Sequence, residues 1–179
     1  MASELHVDAI KHSGGTSAIT INSSGHVHSA GHVVQVTMTE SHGVALTTTS
    51  ESMVATGITA TITPKFSSSK IFIVCSFTAT SSASNAIVGT AYKMYRSIGG
   101  GSDAVVTGMA SSTNAGFLEY NSNASSYNHS VAAFTNQDSP STTSQITYKL
   151  FFKRQNSSNT ASVQRDWGGV HIQLLEIKQ

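Results

Sequence analysis

The pattern of apolar and polar positions divides the chain near His32. Residues 1–31 are punctuated by glycine and serine and carry single apolar side chains, whereas from His32 to Ile177 apolar and polar residues alternate in strand-length blocks. A period of two is typical of β-strands that bury one face. The pattern therefore predicts an extended N-terminal arm, residues 1–31, followed by one β-domain, residues 32–179.

Alternation also predicts the strands of this domain. The clearest blocks are 32–38, 54–63, 70–80, 87–96, 127–135, 145–153 and 169–177, and weaker ones lie near 44–48, 104–109, 117–120 and 161–165. β-branched residues recur between turn-forming residues, and convincing helical spacing is absent. We therefore expect an all-β protein that is nearly free of helix.

Three of the blocks define the expected core. Their inward-facing residues are Val54, Ile58, Ala60 and Ile62, then Ile71, Ile73, Cys75 and Phe77, and finally Ile146, Tyr148, Leu150 and Phe152. The opposite face of the 70–77 block carries Phe72 and Val74, and the last block is also apolar on both faces. Strands of this kind are covered on both sides. One cover would be the domain's own second sheet, and the other a neighbouring copy of the chain.

The number and spacing of the blocks favour a jelly-roll-like β-sandwich. An immunoglobulin-like sandwich is the competing topology, but the chain is long for that fold and lacks its cysteine and tryptophan hallmarks. The single cysteine, Cys75, excludes an internal disulfide, and its place in an alternating block favours a buried, inert thiol over a nucleophile.

Charge and hydropathy limit the partners. Charged residues make up 11% of the chain and the formal net charge is +1, so no basic patch is expected to bind nucleic acid. The longest apolar run, 71–75, is far shorter than a bilayer span, and the N-terminus lacks the pattern of a signal peptide. We expect neither membrane insertion nor classical secretion.

The acidic residues argue against catalysis. Polysaccharide-cleaving enzymes need paired carboxylates at a fixed separation, but the nine acidic residues are scattered and no two share a predicted loop. Asp103, Asp138 and Asp166 fall in predicted turns, where aspartate commonly bonds the backbone. Serine is too abundant here to indicate a Ser/His/Asp triad. The sequence therefore predicts a protein that is not an enzyme and has no organic cofactor.

Several segments resemble one family of virion proteins. LHVDAI and GTSAITINSSG resemble the N-terminal arms of tail-fibre-type proteins of tailed bacteriophages, especially marine ones. The segments GHVVQV, ITATITPKFSSSKIFI, FTNQDSPSTTSQITYKLFF and IQLLEI resemble the compact β-domain that follows such arms. The resemblance implies a virion surface protein, made in the host cytoplasm and assembled as a homotrimer with a knob at one end.

Two structural roles remain open under this resemblance. In the first, the chain is a short tail fibre whose arm anchors it and whose knob meets the host surface. In the second, it is a capsid head-decoration protein that clamps the major capsid protein. A soluble cellular lectin is a third class. In both virion roles the arm makes the attachment, through the apolar residues Leu5, Val7, Ile10, Ile19 and Ile21.

Histidine is the most suggestive metal ligand in the sequence. His26 and His28 would project to the same face of a strand, and three copies around an axis would offer six imidazoles to one divalent metal. This arrangement of histidines resembles one in some phage fibres. The alternative is that both histidines are polar residues of an exposed linker or make inter-chain hydrogen bonds.

Receptor contact is assigned to aromatic residues. Trp167 lies in a predicted loop before the last strand, where it could stack on a host glycan, and Tyr120 could contribute to a shallow surface that recognises a glycan or protein. The alternative is that Trp167 caps the core or a subunit boundary.

Overall fold

All regular structure in the described part of the chain is β. A computed structural model describes residues 6–21, 23, 25, 27–43, 45–82, 86–107, 109, 117–124, 127–155, 159–164 and 168–179, with the backbone alone at 28, 81–82, 86–88, 117–124 and 127–128. The strands are β1 Ala9–Lys11, β2 Ser17–Ile21, β3 Val27–His28, β4 Val33–His42, β5 Leu46–Thr48, β6 Val54–Ile62, β7 Lys70–Ser82, β8 Ala86–Ile98, β9 Ala104–Val105, β10 Phe117–Ala124, β11 Tyr127–Asp138, β12 Ile146–Arg154, β13 Thr160–Val163 and β14 Gly169–Ile177.

Two large antiparallel sheets build the main domain. The first has the order β4-β14-β7-β13-β5, with β11 along the free side of β7, and the second has the order β10-β8-β12-β6, with β9 added to β8. Strand β7 is the centre of the first sheet, because β14 pairs with its first half and β13 with its second half. The inward faces of both sheets supply one hydrophobic core, in which the rings of Phe77 and Tyr92 lie 4.6 Å apart. This arrangement is compatible with a β-sandwich.

The predicted strands and core are confirmed. Each of the eleven predicted blocks overlaps a strand, although the block near 104–109 holds only the two residues of β9. Eleven of the twelve predicted core residues are buried, and Val54 packs partly buried against them. The prediction omitted Thr56, which is buried on the same face and donates a hydrogen bond of 2.8 Å from Oγ1 to the Leu150 carbonyl.

The N-terminal segment differs from the extended arm that its sequence predicts. Strands β1, β2 and β3 form a small antiparallel sheet of their own, and Gly15, with φ of 84°, makes the turn between β1 and β2. None of the described residues in this segment belongs to the hydrophobic core. It is connected to the main domain beside the last strand, where Gly31 N donates to Lys178 O at 2.8 Å and Lys178 N donates to His32 O at 2.9 Å.

Polar side chains on β4 join the two large sheets at one edge. Thr37 Oγ1 donates to the Thr61 carbonyl at 3.1 Å, and Gln35 Nε2 donates to the Thr63 carbonyl at 2.7 Å. β6 is the edge strand of its sheet, so these bonds give partners to one carbonyl on that strand and to one just after it. The inward face of β4 lies at this edge and not over the centre of the core, and for that reason it is polar.

Candidate interaction surfaces

The first sheet exposes an apolar surface on the side that faces away from the core. We call this surface the outer face; it consists of Val33, Val36, Met38, Phe72, Val74, Leu175 and Ile177. Across the sheet, Val36 lies opposite Leu175 and Leu175 opposite Phe72, while Val33 lies opposite Ile177. The side chains on the edge strand β4 are the most exposed, at 50% for Val36 and 60% for Met38.

The outer face corresponds to the residues that the sequence predicts to be covered by a second layer. Phe72, Val74, Leu175 and Ile177 are only half-buried, although they lie on the two central strands of the sheet. Contiguous apolar surface of this kind is characteristic of interaction sites. Its coverage by another copy of the chain stays a prediction.

The N-terminal sheet has an apolar face of its own. Ile10 pairs with Ile19 and Ile21 pairs with Val27, and because Ile19 and Ile21 alternate on β2, all four side chains lie on one face. Ile10 is 53% exposed and Val27 44% exposed. A single layer of sheet cannot bury such a face by itself and needs another element to cover it.

Three of the five residues assigned to attachment are thus brought together. Ile10, Ile19 and Ile21 share the apolar face, whereas Val7 is half-buried and precedes β1. Leu5 lies outside the described residues. Sequence reasoning missed Val27, because a single valine between two histidines shows no alternating pattern. Its place on the apolar face follows only from the pairing of β3 with β2.

The remaining predicted site residues fall largely outside the described part of the chain. This is true of His26 and Trp167, while for His28 and Tyr120 only the backbone is described. His28 pairs with Thr20 in the N-terminal sheet, and Tyr120 pairs with Gly89 in β10. Their assignments to metal and receptor stay predictions.

Asp138 lies at the end of β11 and not in the turn that the sequence predicts. It is 1% exposed, forms an ion pair with Arg96 and accepts a hydrogen bond of 2.8 Å from the Tyr148 hydroxyl. Burial, followed by the negative charge of Asp138, raises the pKa of Tyr148 well above its ordinary value. The trio links β8, β11 and β12 across the two sheets, which is a structural role.

Glu176 is a second buried carboxylate, on the inward face of β14. Its oxygens accept hydrogen bonds from Gln35 Nε2 at 2.6 Å, Lys65 N at 2.8 Å and Phe66 N at 3.1 Å. The side chain is fully buried. It therefore holds the loop between β6 and β7 against the start of β4.

Cys75 fits the inert thiol that the sequence predicts. It is fully buried between the sheets, and burial raises the pKa of the thiol to about 12. Because the thiolate is the reactive form, the side chain is protonated and unreactive near neutral pH.

A shallow depression of about 220 Å³ lies between β2 and the C-terminus. Its lining consists of Ser17, Ala18, Thr20, Ser29, Ala30 and Lys178. These residues contribute small side chains and one lysine.

In the described ranges, no helix is long and apolar enough to cross a membrane.

Comparison with known proteins gives no family for this chain. Neither a scan against protein-family models nor a search of the curated proteins finds a match.

Proposed function

We propose that this chain is a non-enzymatic structural protein of a tailed-phage virion, a homotrimeric short fibre displayed on the particle surface. Residues 1–31 anchor the fibre to other virion proteins, and residues 32–179 form a knob for host recognition. The observation that carries the proposal is a pair of apolar faces on separate sheets, one on the N-terminal sheet and one on the main domain. A protein with two such faces is suited to contact two kinds of neighbour.

The strand order supports a jelly roll for the knob. If β4 with β5, and β13 with β14, each count as one strand, and β9 as an appendage of β8, eight strands remain. The first sheet then has the order 1-8-3-6 and the second the order 2-7-4-5. This order supports a double-sheet jelly roll, an architecture found in viral capsid proteins and also in lectins.

The outer face supports self-association. Val36 and Met38 lie on the edge strand, where a symmetric neighbour can reach them, and Phe72 and Leu175 continue the apolar surface inward. If three copies packed around one axis so that each covered the outer face of a neighbour, this apolar surface would be removed from water.

A lysine on the outer face should dissociate the trimer. For Met38→Lys we expect the molar mass in size-exclusion chromatography with light scattering to fall from three chains to one, because the interface would bury an unpaired ammonium group. Thr61→Lys is the matched control, since Thr61 is exposed on the other large sheet. A monomeric unaltered protein would refute the trimer, and a Met38→Lys trimer would refute the outer face as its interface.

Deletion of residues 1–31 should abolish attachment to the particle and leave the main domain folded. The reason is that the described part of this segment contributes no core residue but carries the apolar face of Ile10, Ile19, Ile21 and Val27. Co-sedimentation with particles measures attachment, and circular dichroism with thermal unfolding measures the fold. Retained attachment of the truncated, folded chain would contradict the anchoring role.

Imaging the protein on its particle tests the proposal as a whole. A few trimers around one vertex would support a tail fibre, whereas hundreds of chains over the head would identify a capsid decoration. Sugar binding by the isolated protein without any particle association would identify a lectin and overturn the proposal.

A further inference from the structure

Two histidines and one glutamate meet on the first sheet, beyond the outer face. Glu40 and His42 alternate on β4, and so project from the same side, while His171 on β14 lies directly opposite Glu40. His171 Nδ1 is 3.4 Å from Glu40 Oε1, and His42 Nε2 is 3.6 Å from Glu40 Oε2. Both imidazoles therefore face one carboxylate.

Neither separation is that of a good hydrogen bond. A good N–H···O bond spans about 2.7–3.2 Å between nitrogen and oxygen, which is shorter than either separation. Two atoms that share a tetrahedral zinc ion at bonds of about 2.0–2.1 Å lie about 3.3 Å apart. The observed separations are close to this value, although the two imidazoles approach different oxygens of the carboxylate. Two histidines with a glutamate are an established ligand set for zinc.

Gly169 makes room for both rings. It pairs with His42 across the ladder, and a Cβ atom at Gly169 would lie 2.8 Å from His42 Nδ1 and 3.2 Å from His171 Nε2. The two rings lie with their centroids 5.5 Å apart and their planes at 76°. A side chain at this position would therefore require both rings to move.

We propose that Glu40, His42 and His171 bind one divalent transition-metal ion, with Zn²⁺ as the probe. As they stand, no set of three His, Cys, Asp or Glu side chains in the described ranges is arranged to hold a metal. The side chains of His42, Glu40 and His171 are 60%, 45% and 43% exposed, which leaves them room to rotate. Binding requires that they turn their nitrogens and oxygens onto one ion. Water fills the position that remains, as in zinc sites with three protein ligands.

Isothermal titration of tag-free, chelator-treated protein with Zn²⁺ tests the site. We expect one ion per chain, an affinity at least ten-fold lower for His42→Ala and for His171→Ala, and a smaller loss for Glu40→Gln. Gly169→Ala keeps all three ligands but places its Cβ against the His42 ring, so we expect it to weaken binding as well. Circular dichroism checks that each variant is folded.

The variant His12→Ala is the matched control, because it removes an exposed histidine from the N-terminal segment and leaves this corner unchanged. Zn²⁺ binding that survives in the control and is weakened in the His42 and His171 variants supports the site. Absence of saturable binding, or binding lost in the control and unchanged in His42→Ala and His171→Ala, overturns it. Neither result bears on whether the chain is a fibre.

Discussion

Replacing Asp138 with alanine is expected to lower the free energy of unfolding by about 3–5 kcal/mol, the largest effect of any single change considered. The carboxylate is fully buried and joins Arg96 to Tyr148. Its removal leaves a guanidinium group that is only 20% exposed without its counter-charge, and a buried hydroxyl without its acceptor. Urea unfolding followed by tryptophan fluorescence or circular dichroism measures the change.

Two variants separate this network from ordinary charge effects. Asp138→Asn keeps the volume and one acceptor oxygen, so we expect it to lower the free energy of unfolding by less than Asp138→Ala does. Asp103→Ala breaks the ion pair with Lys149, whose side chains are 33% and 27% exposed, and should cost about 1 kcal/mol or less. If Asp138→Ala and Asp103→Ala lower the free energy of unfolding by the same amount, the buried trio of Arg96, Asp138 and Tyr148 does not have the structural role assigned to it.

Glu176→Ala should be the next most destabilising change, at about 2–4 kcal/mol. The variant leaves the amide groups of Lys65 and Phe66 and the amide side chain of Gln35 without their shared acceptor. Lys65 and Phe66 lie in the loop between β6 and β7, which Glu176 holds in place. Without these bonds we also expect faster amide hydrogen exchange at 65–66. Hydrogen-exchange mass spectrometry together with chemical unfolding measures both effects.

Glu176→Gln refines the test. Its oxygen can still accept from the backbone of Lys65 and Phe66, but its amide nitrogen would face the donor of Gln35. We therefore expect a smaller loss than for alanine. Glu51→Ala is the control, since Glu51 is 58% exposed and lies 3.5 Å from Arg154, and it should have little effect. Equal exchange rates at 65–66 in Glu176→Ala and wild type would contradict the assigned contact.

The strands and core were predictable because alternation reports burial directly. In β12 and in the first half of β7 every second residue is apolar, and those residues belong to the core. Thr56 was missed for the same reason, since a buried hydroxyl satisfied by the Leu150 carbonyl is polar in sequence but internal in the fold. A pattern of hydropathy cannot show a hydrogen bond to a strand far along the chain.

The candidate surfaces were predictable only in part. The single apolar residues Ile10, Ile19 and Ile21 indicated an unburied segment, but the face they share requires the pairing of β1 with β2. The approach of His171 to Glu40 requires the pairing of β14 with β4, the last strand of the chain with the first strand of the main domain. Local sequence carries no register between segments so far apart, so this cluster had no sequence signal.

The junction of the N-terminal segment has a mechanical consequence. Any pull on residues 1–31 enters the main domain at the start of β4, beside the end of β14, where Gly31 and His32 bond Lys178. From there β4 and β14 run antiparallel, paired from Val33 with Ile177 to His42 with Gly169. A pull along β4 therefore shears all the hydrogen bonds of this ladder together and does not open them one after another. Tension applied along β4 through this segment would be resisted by the whole length of the strand.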